Sequence, residues 1–295
     1  MSALTHETIS QLAAEHGFSA AYCFTPELED QAPEEVRTLV LLTRAYAPGG
    51  WLVDHFYPCS NAAYHQARRL GERLGAEYGQ RVWPLSNLRL KPMCRRLSAF
   101  GTGMNTLNYL PRIGSRFCME LLGLADRLEP TPMLPYPGEH LPCAQCGRCM
   151  AACPTGAITE KGFVKERCIR FHMMNGKPMP EDMRPFIGTA DGAKGILGCD
   201  LCQRACPANA LADKEYNVSD DFSLSELLAC DKETLSRFSD LYGKNYAIRN
   251  RILAQAILAA VHAKGEYSKQ MEALQASPSP AVAEHVAWFL EKMKK

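Results

Sequence analysis

The chain has 295 residues, too many for one small core and enough for two or three modest units. Lys and Arg number 33 against 32 Asp and Glu, a formal charge of +1, so bulk electrostatics do not mark a nucleic-acid binder. A hydrophobic content of 46% with 22% charged residues excludes a largely disordered chain.

In chain order, the first section reads as mixed α/β. Residues 12–18 close a short helix at Gly17, and the apolar run 36–43 has the look of a buried strand. Over 62–78, Ala63, Ala67, Leu70 and Leu74 recur at helical spacing and predict an amphipathic helix ending at Gly79. A second helix is expected over 117–128 (FCMELLGLADRL). Five prolines in the fourteen residues 129–142 then forbid a helix and predict an extended connector. A cysteine-rich segment follows, and after Asp213 the stretches 224–228, 232–242, 249–263 and 281–295 predict helical hairpins stacked in a right-handed array. The most apolar stretch, 252–261 with Gln255 inside, falls short of the roughly 20 residues that cross a bilayer. The N-terminus shows no basic-then-apolar leader, so a soluble, cytoplasmic protein is expected.

Thirteen cysteines are the anomaly, because structural disulfides are rare in a reducing compartment. Eight of them crowd into residues 143–206. Cys143, Cys146, Cys149, Cys153 and Pro154 form C-x2-C-x2-C-x3-C-P, the run in which three thiolates hold one cubane cluster and the fourth serves another. Cys199, Cys202, Cys206 and Pro207 supply C-x2-C-x3-C-P, with Cys168 as the isolated upstream partner. The crossover assigns Cys143, Cys146, Cys149 and Cys206 to one 4Fe-4S cluster, and Cys153, Cys168, Cys199 and Cys202 to a second. Zinc is the alternative, but it favours two separated C-x2-C pairs. Cys23, Cys59, Cys94, Cys118 and Cys230 are scattered and read as small buried hydrophobes.

The surroundings of these cysteines, Arg167-Cys168-Ile169 and the run Gly198 to Gln203, resemble those of the epoxyqueuosine reductases, a cobalamin- and double-cluster-dependent family of tRNA modification. The likeness extends to Tyr64-His65, to the glycine turn Gly101 to Thr106 with Gly114-Ser115, to residues 178–188, and to the C-terminal stretches 246–259 and 281–288. It implies an α/β N-terminal domain (1–135) that binds cobalamin, a ferredoxin-like dicluster domain (136–212) and a C-terminal α-helical HEAT-like domain (213–295). The clusters would reduce the corrinoid to a strongly nucleophilic state that opens the epoxide on the tRNA base to an alkene. Corrinoid contacts implied by the resemblance are His65, Asn105, Thr106, Ser115, Arg170, Asp200 and Leu201.

The chain departs from the family's pattern in one functional residue. The family carries a proton-donating aspartate a few residues ahead of a proline, before the glycine turn. Here residues 86–97 hold no carboxylate, and Leu88-Arg89-Leu90-Lys91-Pro92 stands in its place. Lys91, Cys94 or a more distant group would substitute as general acid, or the reaction is a different one. The chain is also shorter than typical members.

Two segments concentrate positive charge as a phosphate backbone requires. Residues 65–96 carry eight Lys and Arg against two Glu, and residues 237–264 carry five against one Asp, including Arg249 and Arg251 in the domain that grips tRNA in the family. The expected partners are tRNA and an external electron donor such as a flavodoxin or ferredoxin, with no membrane and no demand for a dimer. The competing readings are a non-catalytic two-cluster electron-transfer protein and a corrinoid reductase for another electrophile.

Overall fold

The computed structural model describes residues 4–111, 113–132, 143–209, 222–263 and 265–294. The N-terminal part is an antiparallel sheet backed by helices. Helix α1 (His6–Glu15) is capped by Thr5, whose hydroxyl accepts from the Thr8 amide, and ends where Gly17 turns left-handed at φ +78°. Strands β1 (Ala20–Phe24) and β2 (Thr38–Ala45) follow and pair antiparallel.

Helix α2 (Phe56–Tyr78) begins six residues before its predicted start, because Pro58 is tolerated in the first turn, and it ends at left-handed Gly79. Its inner face, Cys59, Ala63, Ala67, Leu70 and Leu74, packs on the sheet. Gly71 lets the helix approach: a Cβ there would stand 3.2 Å from Val82 Cγ1.

Strand β3 (Val82–Pro84), helix α3 (Leu90–Arg96) and the short pair β4 (Gly101–Thr102) and β5 (Asn108–Tyr109) lead to β6 (Phe117–Leu124). The sheet order is β1-β2-β6-β3. The helix expected over 117–128 is therefore a central strand. Both of its faces are buried: Cys118, Leu122 and Leu124 join the core under α2, while Phe117 and Leu121 join the core that contains Met93 and Leu97. A two-faced buried strand has no polar alternation, and its apolar residues at 117, 121 and 124 mimic helical spacing.

The cysteine-rich part contains short elements only: α4 (Arg148–Ala151), the hairpin β7 (Ile158–Thr159) and β8 (Gly162–Phe163), α5 (Ile169–Met174) and α6 (Leu201–Arg204), with α4 and α6 in contact. The C-terminal part is helical: α7 (Leu224–Ala229), α8 (Lys232–Tyr242), α9 (Arg249–Ala260), α10 (Ser268–Leu274) and α11 (Pro280–Met293). The sequence reading missed α10, a seven-residue helix with one buried anchor, Met271.

The parts share a core rather than merely touching. Leu52, Val53 and Tyr57 from the N-terminal part and Ile196 and Leu197 from the middle pack with the C-terminal helices, and Val53 bridges Leu197 in parallel. The two expected boundaries, 135/136 and 212/213, and most of the proline-rich connector lie outside the described residues. No helix among the described residues is long and apolar enough to cross a membrane.

Candidate functional site

A cavity of about 480 Å³ opens where the N-terminal sheet meets the cysteine-rich segment. Its N-terminal wall contains Tyr46, Asp54, Phe56, Tyr57 and the turn 105–108, its other wall Cys153, Cys168, Cys199 and Cys202, and Tyr246 joins from the C-terminal part. The wall is mostly apolar with a few convergent polar groups, the usual make-up of a cofactor or ligand cleft.

Five residues implied by the resemblance reach this cavity: Asn105, Thr106, Ser115, Arg170 and Leu201. Asn105 is buried, accepts from the Leu107 amide at 3.2 Å and donates to the Tyr109 hydroxyl at 3.0 Å. The turn is tight enough to hold Thr106 at φ +62°, a conformation a side chain seldom adopts. Ser115 is tied across the seam: its amide donates to Asn209 Oδ1 at 2.7 Å, and Gln203 Nε2 donates to its carbonyl at 2.9 Å. Gly114 before it has φ +66° and no room for a Cβ, which would meet Asn209 Oδ1 at 2.1 Å. Arg170 Nε donates to the Tyr57 hydroxyl at 3.2 Å, and its guanidinium lies 5.0 Å from the Phe56 ring centre.

Two of the seven do not reach it. His65 is exposed on α2, its ring edge-on to Tyr64, because the inward face of that helix is taken by Ala63 and Ala67. Asp200 is 1% exposed and sits behind the wall, where Arg116, Lys194 and Arg204 converge on its carboxylate at 3.5, 3.6 and 3.2 Å. A carboxylate this deep requires paired cations, and that requirement determines its partners.

Of the two general-acid candidates, Lys91 lines the cavity and Cys94 does not. Lys91 Nζ donates to the Thr106 carbonyl at 3.2 Å, and its pKa is lowered by desolvation of the ammonium and then by Arg170 and Arg95. Cys94 is fully buried with its thiol 3.3 Å from Met119 Sδ, and burial pushes its pKa up to about 12. All five scattered cysteines are buried, as the sequence suggested.

Seven of the eight crowded cysteines appear in one another's electrostatic surroundings, and Cys146 does not. Cys149 feels the charge of Cys143 and Cys206, while Cys199 and Cys202 feel each other and Cys168, and Cys153 adds to Cys202. Cys149 also acts on Cys202, so the neighbourhoods adjoin. Donors already point at the sulfurs: Tyr109 Oη lies 3.4 Å from Cys206 Sγ, and the Ala157 amide donates to Cys153 Sγ at 3.3 Å. Hydrogen bonds of this kind are what tune cluster potentials.

Sequence reasoning missed Asp54, Phe56 and Tyr57. The one available signal was a lone carboxylate inside the apolar run Trp51 to Tyr57.

The basic segments are partly spent on internal pairs. Arg73 binds Glu15 and Glu77, and Arg96 binds Glu27 and Asp30. Arg68, Arg69, Arg81, Arg89, Arg95 and Arg249 are exposed, Arg251 is half-buried, and Lys264 lies outside the described residues.

A profile described as a 4Fe-4S double cluster binding domain matches residues 142–232. The epoxyqueuosine reductase of Alicycliphilus denitrificans is 31% identical over 242 residues, 75% of this chain and 64% of that protein. That of Bacillus subtilis is 29% identical over 184 residues, 58% of this chain and 45% of its own length. The chain's match thus spans about half to two thirds of these curated relatives. The solved epoxyqueuosine reductase of Streptococcus thermophilus shares the fold with a TM-score of 0.76 at 19% identity, over 97% of this chain and 90% of that one.

Proposed function

We propose that this chain, epoxyqueuosine reductase-like in sequence and fold and carrying a domain for two 4Fe-4S clusters, is a cobalamin-dependent reductase that converts the epoxide of epoxyqueuosine in tRNA to the alkene of queuosine. The observation that carries this reading is the cavity itself, walled on one side by the 105–115 turn and on the other by Cys153, Cys168, Cys199 and Cys202. A cofactor seated there would stand directly against one cluster.

Under this reading Cys143, Cys146, Cys149 and Cys206 hold an outer cluster, and Cys153, Cys168, Cys199 and Cys202 an inner one. The closeness of Cys149 to Cys143 and Cys206, and of Cys202 to Cys168, Cys199 and Cys153, supports this allocation. Asn105, Thr106, Ser115, Arg170 and Leu201 would hold the corrinoid. Their mixture of amide, hydroxyl, cationic and aliphatic groups suits a large macrocycle bearing amide side chains, and the apolar wall excludes water from it. Bound cobalamin supplies a metal centre that takes electrons one at a time and passes them on as a pair.

Deoxygenation of the epoxide consumes two electrons and two protons, breaks both C–O bonds, forms the C=C bond and releases water. The chain's own residues must therefore place a proton donor at the departing oxygen. The electrons come from an external donor of the flavodoxin or ferredoxin class, in a cytoplasmic monomer divided near 135/136 and 212/213. A related solved structure holds an epoxyqueuosine-modified tRNA stem loop, and Arg249, Arg251 and the exposed arginines of 65–96 are the residues proposed to meet such a backbone.

The reading is tested by anaerobic reconstitution with iron and sulfide, addition of hydroxocobalamin, desalting, and a single-turnover assay on an epoxyqueuosine stem loop. A retained corrinoid spectrum and conversion to queuosine are expected, and a colourless or corrinoid-free product would overturn it. The absence of a carboxylate from 86–97 favours one second reading, a two-cluster electron-transfer protein that leaves the stem loop untouched.

A further inference from the structure

We infer that Asp54 is the catalytic acid of this cavity, donating a proton to the oxygen that leaves the substrate and so filling the role left vacant in the 86–97 segment. This rests on the reductase reading above and names the proton donor within it.

The geometry is specific. Among the described residues that line the cavity, Asp54 is the only carboxylate, and it shares the cavity with the four inner cysteines. Its position is fixed from three directions. Its amide donates to the Leu197 carbonyl at 2.9 Å, its Oδ1 accepts from the Phe56 amide at 2.8 Å, and Gly198 is pressed against it. Gly198 has φ +102° and would place a Cβ only 2.6 Å from Asp54 Cβ, so the approach is open to glycine alone. The side chain is thus held at the cavity wall by the extended segment that leads into Cys199.

The surroundings suit an acid rather than a structural ion. The charged and titratable groups that face Asp54 are Asp200, Lys194, Arg116, Arg170, Tyr46 and Tyr57. Burial, and then the neighbouring Asp200 carboxylate, raise its pKa above the ordinary carboxylate value, which favours the proton-bearing form. Lys194 and Arg116 oppose that shift and would stabilise the carboxylate once the proton has gone. A cavity-lining carboxyl whose acid form is favoured by burial and whose anion has cations beside it has the make-up of a general acid. Lys91, the other proton-bearing candidate on this wall, already donates to the Thr106 carbonyl.

In the proposed step the Asp54 O–H bond breaks as the substrate C–O bond breaks, and the proton joins the departing oxygen. The second proton of the water comes from solvent, which also reprotonates Asp54. The two electrons come from the external one-electron donor through the clusters, so the donor is oxidised and the epoxide reduced.

The test uses the reconstituted full chain and its Asp54→Asn and Asp54→Glu variants in single-turnover assays on the stem loop. Asp54→Asn is expected to keep its iron and its corrinoid spectrum but to lose about 100-fold or more in rate. The wild-type rate should fall as pH rises through the raised pKa, because the donating form is the protonated one, while the asparagine variant loses that limb and the glutamate variant regains it. An asparagine variant with the wild-type rate and pH profile would overturn the inference, as would transfer of the whole effect to Lys91→Met.

A second readout does not depend on turnover. Redox-difference infrared spectra should show a protonated carboxyl stretch in the wild type that vanishes in Asp54→Asn and shifts in Asp54→Glu. If the wild type leaves the epoxide intact, the functional reading fails and this band alone decides whether Asp54 is a protonated acid. Its absence from the wild type would refute that too. Should the asparagine variant lose its iron, the shift in the glutamate variant decides.

Discussion

The two proposed cysteine sets are built from the same ligand type, yet they sit in different surroundings. The proposed outer set includes Cys146, which is exposed, and none of its four members lines the cavity. All four members of the proposed inner set line it. Behind the inner set lies an ionic group centred on buried Asp200, in which the buried Arg116 and Lys194 and the exposed Arg204 outnumber the carboxylate. Cluster potentials depend on net charge, hydrogen bonds and solvent exposure. Under the proposed reading, the difference between the two surroundings would give the pair a direction, with electrons entering at the exposed side and leaving at the cavity.

The largest effect should come from cutting that direction at either end. Cys202→Ala is expected to remove the inner cluster's iron, leave the outer cluster's in place and abolish turnover, read by iron content and electron paramagnetic resonance. Cys146→Ala should do the reverse, slowing uptake from a protein donor while a small chemical reductant still reaches the inner cluster. Loss of all iron in either variant would show that the two sites are one cooperative unit.

A smaller effect is expected at the surface proposed to meet the tRNA. Arg249→Ala with Arg251→Ala should weaken stem-loop binding several-fold and flatten its log–log salt dependence by roughly 1.5, leaving the rate of cluster reduction unchanged. Identical titrations for wild type and variant would place the nucleic acid elsewhere.

Next in size is the charge behind the inner set. Lys194→Met removes a buried cation and should lower the potential of the inner cluster in a potentiometric titration without moving the outer one. A shift of both, or of neither, would dissolve the distinction drawn from the ionic group.

The smallest effect concerns how the inner segment is anchored. His285 is fully buried, its Nδ1 2.7 Å from the Ala254 carbonyl and its Nε2 accepting from the Met179 amide at 2.9 Å, which joins α9 and α11 to the loop after α5. Burial lowers its pKa to about 4. The stability that follows is complete above the unfolded value near 6.5 and is lost as the pH falls toward 4. His285→Leu should cost about 1–3 kcal/mol for each group left unpaired and flatten the acid side of the stability curve in urea titrations at pH 4 to 7.

Much of the cysteine chemistry was legible because cluster ligands are close in sequence, and spacing alone carries that information. The helix predicted over 62–78 announced itself by amphipathic period, and four of the five C-terminal helices were legible as stretches between short turns. Phe117–Leu124 did not, since a strand covered on both faces offers no alternation to read. Asn105, Thr106, Ser115, Arg170 and Leu201 reached the cavity expected of them, while His65 turned outward and Asp200 and Cys94 lay behind its wall. Residue type and order cannot separate a side chain on a wall from one a few ångströms behind it.

Composition and spacing by themselves pointed to a domain for two 4Fe-4S clusters on a mixed α/β and helical scaffold. Only the tertiary structure decided which set faces a cavity, and which carboxylate joins it there. Asp54 stands 145 positions before Cys199 in the sequence, and it meets the inner set only because Val53 pairs with Leu197 in a shared core. Ligand spacing is a local property of the chain, whereas a cavity forms where distant segments are brought together by the burial of apolar surface.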